Sequence, residues 1–404
     1  MPLTLKRRDL LHVSAAAGLT AVSALRVSGA NERIRAGVIG LGRRAVKLQG
    51  FLADRRDLDI VAICDIWDQR IAAFQVKVPQ ARTYRDHRKL LDSGDVDVVF
   101  IATPDHWHAP MAIDAAKAGK DIYVEKPLTL RSEEGPQVVR ACRVNQRICQ
   151  VGTQQRSGIH YLEARERYLK TGKLGRIPIV RTWWFDSGNS SLKGDHAAPP
   201  GMERKPADLD WTRYLGQVKW RDWDPKQYFN FRAYLDFGGG KITDDGVHLI
   251  DTAHHFMERD NPVSANALGG IYSLPDGRTA PDTVTAALEY PDKFVVTFDN
   301  ANVPSPIEPA VEFLGSDGRL LISRSEYVYH SAEKGAPPVI VKAEHDQAVD
   351  HIENFLSCCR SRKAPNCDVY HGHRSAQAAH LLTMSYVQQR RIRFNPDVEE
   401  VLPA

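Results

Sequence analysis

Between Arg33 and Gly152 short apolar runs alternate with longer amphipathic ones, and this alternation constrains the fold more than any other feature of the chain. Ile34 to Ile39, Leu58 to Cys64, Val96 to Ala102 and Asp121 to Val124 read as strands. The third, VDVVFIA, is continuously apolar, as a strand covered on both faces must be. Amphipathic stretches such as Pro110 to Ala118 read as the helices between them. Strands and helices in strict alternation build a parallel, doubly wound sheet.

A chain of 404 residues is too long for one simple core, and its pattern changes after about Thr153. Asp186 to Tyr234 is rich in Trp, Pro, Asp and Gly and reads as a structured excursion near a ligand site. Alternating strands then return. Thr283 to Tyr290 and Phe294 to Phe298 flank Pro291-Asp292-Lys293, a hairpin signal, and Val311 to Leu314 and Arg319 to Ile322 flank a second turn. Helices are expected near Asp350 to Arg360 and Ser375 to Arg390. The expected organisation is an α/β chain with a targeting segment at 1–30 and a dinucleotide-binding Rossmann domain at 31–152. An α+β domain with a large, mainly antiparallel sheet fills 153–404 and holds the substrate.

The N-terminus reads as an export address. Lys6-Arg7-Arg8-Asp9-Leu10-Leu11 is a twin-arginine pattern, Val13 to Leu25 is apolar but short for a bilayer span, and Ser28-Gly29-Ala30 offers a cleavage site. Arg26 close to that site is a mild departure. The expected location is therefore periplasmic or otherwise outside the cytoplasm, reached through the twin-arginine machinery and without a stable membrane anchor. This segment carries three of the four net positive charges, which leaves the rest of the chain near neutral and gives no electrostatic case for nucleic acid. The six cysteines form no CxxC pair, so a zinc or thioredoxin reading has no support. Export of an already folded chain predicts mostly free, buried thiols.

Gly40-Leu41-Gly42-Arg43-Arg44-Ala45 follows the first strand and opens a helix in the GxGxx(G/A) form. The first glycine permits the turn, the second lets backbone approach a pyrophosphate, and the helix N-terminus favours the phosphate charge. Asp65 ends the second strand, where a carboxylate binds a ribose 2′-hydroxyl and repels a 2′-phosphate, so NAD is the expected cofactor. Thr103-Pro104-Asp105-His106-Trp107-His108 and Glu125-Lys126-Pro127 follow the next two strands at the same carboxyl edge. Thr103, Pro104, His106, His108, Glu125 and Lys126 are thereby assigned to the cofactor cleft, with Gly40, Leu41, Gly42, Arg43 and Asp65. No carboxylate or cysteine stands at metal-ligand spacing from the two histidines, so no metal is assigned. By residue type alone Lys126 reads as one more solvated lysine. Gly238-Gly239-Gly240 suits a backbone passing close to a ligand. In the helix expected from about Thr243, Asp244, His248 and Asp251 share a face, which fits either a general acid/base or a capping Asp with a core histidine.

Together GVIGLG, CDIW, VDVVFIATPDHWHAPMAIDAAKAGKDIYVEKPL and GGGKITDDGVHLID resemble the Gfo/Idh/MocA family, named for glucose-fructose oxidoreductase, inositol dehydrogenase and a rhizopine-catabolism protein. The resemblance runs from Arg33 nearly to the C-terminus, and HIENFLSCCRSRKAPNCDVYHGHRS resembles the tail of exported bacterial relatives. It implies a catalytic Lys126, with Asp244 and His248 as partners in the substrate site and His248 as proton acceptor. It also implies that Arg156 lies near the substrate, and that the open sheet is a dimer surface, hence a homo-oligomer. Asp245 departs from the pattern, because close relatives often carry an aromatic residue there.

The implied activity is hydride transfer between a hydroxyl of a sugar, amino sugar or cyclitol and a tightly bound NAD. The alternative is an NAD-dependent glycosidase or lyase that oxidises a ring hydroxyl transiently, eliminates the leaving group and returns the hydride. A non-catalytic sensor is disfavoured by the presence of Lys126, Asp244 and His248 together.

Overall fold

The computed structural model describes residues 33–53, 55–185 and 197–403, so the twin-arginine segment lies outside the described residues. Strands β1 (Ile34–Ile39), β2 (Leu58–Cys64), β3 (Arg82–Tyr84), β4 (Val98–Ile101), β5 (Asp121–Val124) and β6 (Cys149–Val151) form one sheet in the order β3-β2-β1-β4-β5-β6. Every pairing in it is parallel. All four residues of β4 are buried, as its unbroken apolar sequence requires. The strand order reverses between β1 and β4, so the loops after these strands splay apart and leave a crevice at their carboxyl ends.

Ten further strands form the second sheet. They are β7 (Ile179–Phe185), β8 (Ser264–Gly270), β9 (Thr283–Tyr290), β10 (Phe294–Ala301), β11 (Ala310–Leu314), β12 (Gly318–Ser323), β13 (Glu326–Ser331), β14 (Val339–Lys342), β15 (Ile392–Asn395) and β16 (Glu400–Val401). The order is β14-β13-β12-β11-β7-β10-β9-β8-β15-β16, antiparallel except where β7 runs parallel to β10. Both expected hairpins form, β9 with β10 and β11 with β12. In β10 the burial alternates residue by residue, so Phe294, Val296 and Phe298 face the core and the residues between them face outward.

The last two helices join the two sheets. Gln347–Ser361 follows β14 of the second sheet in sequence but packs on the first, where Ile352, Phe355 and Leu356 share a core with Phe100 and Tyr123. Val369–Gln388 packs against helix Gly135–Val144 on one side and against β8 and helix Val247–Met257 on the other. The 197–237 excursion forms its own aromatic cluster, in which Trp211, Tyr214, Tyr228 and Phe237 pack with Trp67 from the loop after β2. All six cysteines are unpaired and buried. Among the described residues no helix is long and apolar enough to cross a membrane.

Candidate active site

The glycine loop after β1 is built for close approach. Gly40 has φ +82°, and a Cβ there would stand 2.8 Å from Thr103 Cγ2, so only glycine fits. Gly42 is the N-cap of helix Arg43–Leu52 and supplies no side-chain cap. Asp65 pins this loop: its Oδ2 accepts the Leu41 N–H at 2.7 Å and its Oδ1 accepts the Trp67 N–H at 3.0 Å. Burial pushes the Asp65 carboxyl above its ordinary range, against the pull of Arg70 and these backbone donors. Arg70 lies over the rings of Trp67 and Tyr228, with Nη1 3.5 Å from where a Gly42 Cβ would be.

Lys126 leaves the end of β5 toward the second domain. Its Nζ donates to the Asp244 backbone carbonyl at 2.8 Å and also to the Asp244 carboxylate. Arg232 Nε donates to the same carboxylate oxygen at 2.8 Å. Asp244 sits on a π-turn, Ile242–Gly246, that leads into helix Val247–Met257, and Gly240 at φ +65° turns the chain into it. Burial alone would raise the Asp244 carboxyl, but Arg232, Lys126 and Lys241 outweigh it and hold the group well below the ordinary carboxylate range.

His248 lies one turn further on, 5% exposed, with Nδ1 sealed from solvent and without a hydrogen-bond partner. Its ring lies nearly parallel to Trp184, with centroids 6.3 Å apart at 24°. Burial first, then Lys126 and Arg324, hold its pKa well below the ordinary histidine value. The imidazole is therefore neutral at pH 7, its basicity lowered by burial and these same cations.

A cleft of about 1110 Å³ joins the two ends. Gly40, Gly42, Arg43, Asp65, Thr103, Pro104, His108, Glu125, Lys126 and His248 line it, while Asp244 supports Lys126 from behind. Thr103 Oγ1 is buried beside the glycine loop without a partner, and Asp105 Oδ2, also unpartnered, lies against Gly238. Unsatisfied acceptors and donors next to open backbone amides fit a dinucleotide, whose ribose and phosphate groups need both. Glu125 is held by Arg44 at 2.5 Å. His108 bridges the two catalytic loops, with Nδ1 2.7 Å from the Pro127 carbonyl and Nε2 2.9 Å from that of Thr103.

Four sequence expectations are corrected. His106 points away from the cleft, bonded to the Tyr214 carbonyl at 2.7 Å and ringed by Tyr214 and Phe237. Leu41 is buried outside the cleft lining and its amide is already taken by Asp65. Arg156 is 3% exposed and clamps Asp251 through Nε at 2.9 and 2.8 Å; both are core residues, with Ser375 donating to Asp251 as well. Asp245 neither shapes the pocket nor meets solvent, because it is buried and paired with Lys241 at 2.8 Å. The three glycines likewise make room for protein: a Cβ on Gly240 would lie 2.7 Å from the Ala280 Cβ.

Sequence reasoning missed Asp105, Arg232, Trp184 and Arg324. Burial, with Asp244 adding to it and Arg232 and Lys126 opposing, pushes the Asp105 carboxyl up to about 7. Arg232 comes from the excursion, where no periodicity marks it.

The model of the "Oxidoreductase family, NAD-binding Rossmann fold" matches residues 34–153, and that of the same family's "C-terminal alpha/beta domain" matches 214–394. The chain is 24% identical to the scyllo-inositol 2-dehydrogenase (NAD(+)) of Bacillus subtilis over 349 residues, covering 82% of this chain and 88% of that one. It is 35% identical to the alpha-N-acetylgalactosaminidase of Shewanella oneidensis over 127 residues, 29% of this chain and 28% of that protein. The solved aldose-aldose oxidoreductase of Caulobacter crescentus superposes with a TM-score of 0.70 at 18% identity, covering 90% of this chain and all of that one. Matched along both sheets that build the cleft, the chain belongs to the Gfo/Idh/MocA oxidoreductase family and binds NAD through its Rossmann domain.

Proposed function

We propose that the protein oxidises a hydroxyl of a sugar, amino sugar or cyclitol, passing hydride to an NAD it holds through turnover. The observation that carries this reading is that His248 lines the cleft beside the ordered Lys126–Asp244 pair. His248 accepts the hydroxyl proton. Lys126, held by two oxygens of Asp244, keeps its ammonium facing the alkoxide that develops. Arg232 shares Asp244 and so keeps that carboxylate ionised. Bound NAD supplies the hydride acceptor. The similarity to an inositol dehydrogenase over most of both chains supports a polyol substrate. The twin-arginine pattern supports export, and a chain exported folded carries its cofactor with it.

The test is a panel of sugars, cyclitols and glycosides offered to purified protein, following reduced-nicotinamide absorbance. Reduction of the cofactor by a sugar or cyclitol is expected. Product formation with no net change in NAD would favour the glycosidase or lyase reading, for which the 127-residue similarity to the galactosaminidase speaks. No reaction with any member would overturn both.

A further inference from the structure

Cations crowd the cleft, and most of them face a carboxylate. Arg44 meets Glu125, Lys47 meets Asp346, Arg213 meets Asp86, and Lys126 and Arg232 share Asp244. Two cleft arginines have aromatic neighbours instead. Arg70 stands at the glycine loop, where the cofactor phosphates belong. Arg324 stands at the other end and, among the described residues, makes no ion pair within 4 Å, although the Asp346 carboxylate, paired with Lys47, feels its charge.

The position of Arg324 is set by the turn between β12 and β13. Ser323 Oγ accepts the backbone N–H groups of Ser325 and Glu326, each at 3.2 Å, which fixes that turn. Glu308, the acid beside it, is engaged by the Ser325 hydroxyl at 2.6 Å. The guanidinium lies over Trp184 at 4.9 Å, and Trp184 lies over His248 at 6.3 Å. Stacking fixes a guanidinium in place without neutralising it and leaves its planar fork of donors free. Two successive ring contacts put it within about 11 Å of the His248 ring. Both side chains line one cleft, so a sugar with a hydroxyl at His248 can carry an acidic substituent toward Arg324.

We propose that the substrate is an anionic sugar whose carboxylate or phosphate is gripped by Arg324 while a hydroxyl lies at His248, both side chains lining the same cleft. This rests on the oxidoreductase reading and narrows its substrate class. Arg324 is then a specificity-determining residue that selects charge at the end of the sugar remote from the chemistry.

The experiment is calorimetric titration of the NAD-loaded protein with glucose, glucuronate and glucose 6-phosphate, and with galactose and galacturonate. An anionic member should bind at least tenfold more tightly than its neutral counterpart, the scale of a charge-assisted hydrogen bond, and the uronate and phosphate arms show which anion is read. Arg324→Gln should bring the anionic-to-neutral ratio within about twofold of one, and Arg324→Lys should keep part of it, because charge remains and the fork is lost. Equal binding of neutral and anionic members, a preference that survives Arg324→Gln, or no binding by any anionic member would overturn the proposal. An anionic sugar that binds through Arg324 yet never reduces the cofactor would refute the oxidoreductase reading and leave this one standing.

Discussion

The Arg156–Asp251 pair separates a substrate contact from a structural one. Arg156 Nε reaches both carboxylate oxygens of Asp251 at 2.9 and 2.8 Å, and the two side chains are 4% and 0% exposed. Arg156→Met keeps most of the volume and strands the Asp251 carboxylate, with only the Ser375 hydroxyl at 2.7 Å to receive it. Breaking a buried pair from one side costs about 3–5 kcal/mol. With a urea m-value of about 3 kcal/mol/M, the unfolding midpoint should fall by about 1–1.7 M. The double change Arg156→Met with Asp251→Leu should recover much of the loss, because no orphan charge remains. KM for whichever sugar proves to be the substrate should move little beside this. A variant of full stability with a KM raised by an order of magnitude or more would show that the guanidinium serves the substrate, and would refute the reasoning.

Acid should destabilise the fold. Burial lowers His106, His254, His351 and His380 each to about 4, so stability is complete above the unfolded value near 6.5 and is lost as pH falls below it. Between about pH 7.5 and 5.5 these four lose about 5 kcal/mol, and Asp105, raised to about 7, returns about 2 as it gains its proton; equal denaturation midpoints at the two pH values would contradict this. NAD should bind better than NADP, and Asp65→Ser should narrow the gap while loosening the loop that Asp65 pins, as measured by the two dissociation constants; equal affinity in the unaltered protein would count against the strand-end assignment. Replacing Arg7 and Arg8 by lysine should leave the protein uncleaved in the cytoplasm, whereas the exported protein should release about one nicotinamide per chain on denaturation; unchanged export or an empty protein would sink the respective claim.

Strands whose residues are buried on both faces were legible. The limits of β1, β2 and β5 are those read from sequence, whereas the continuously apolar run read as Val96 to Ala102 pairs only over Val98–Ile101. The three-residue strands β3 and β6 were missed, being too short to show a period. Lys126, Asp244 and His248 were found through a motif, and the structure brings them together at one end of the cleft. Arg156 was misplaced because its partner lies 95 residues away in the chain, and no local pattern separates a buried ion pair from a substrate clamp. Helix Gln347–Ser361 was assigned by sequence order to the second domain, yet its apolar face covers the first sheet. Arg232 and Arg324 lay in segments whose composition announces loops, so only the folded chain shows what they face.

The central claim is that a neutral His248 takes the proton while Lys126 holds the alkoxide. The direct measurement is the single-turnover rate of reduction of the bound nicotinamide, by stopped flow, in His248→Ala and Lys126→Met beside the unaltered protein. Each variant should lose about 10² to 10⁴ in rate, with cofactor content unchanged. A rate within a few-fold of the unaltered protein in either variant would remove that residue from the chemistry.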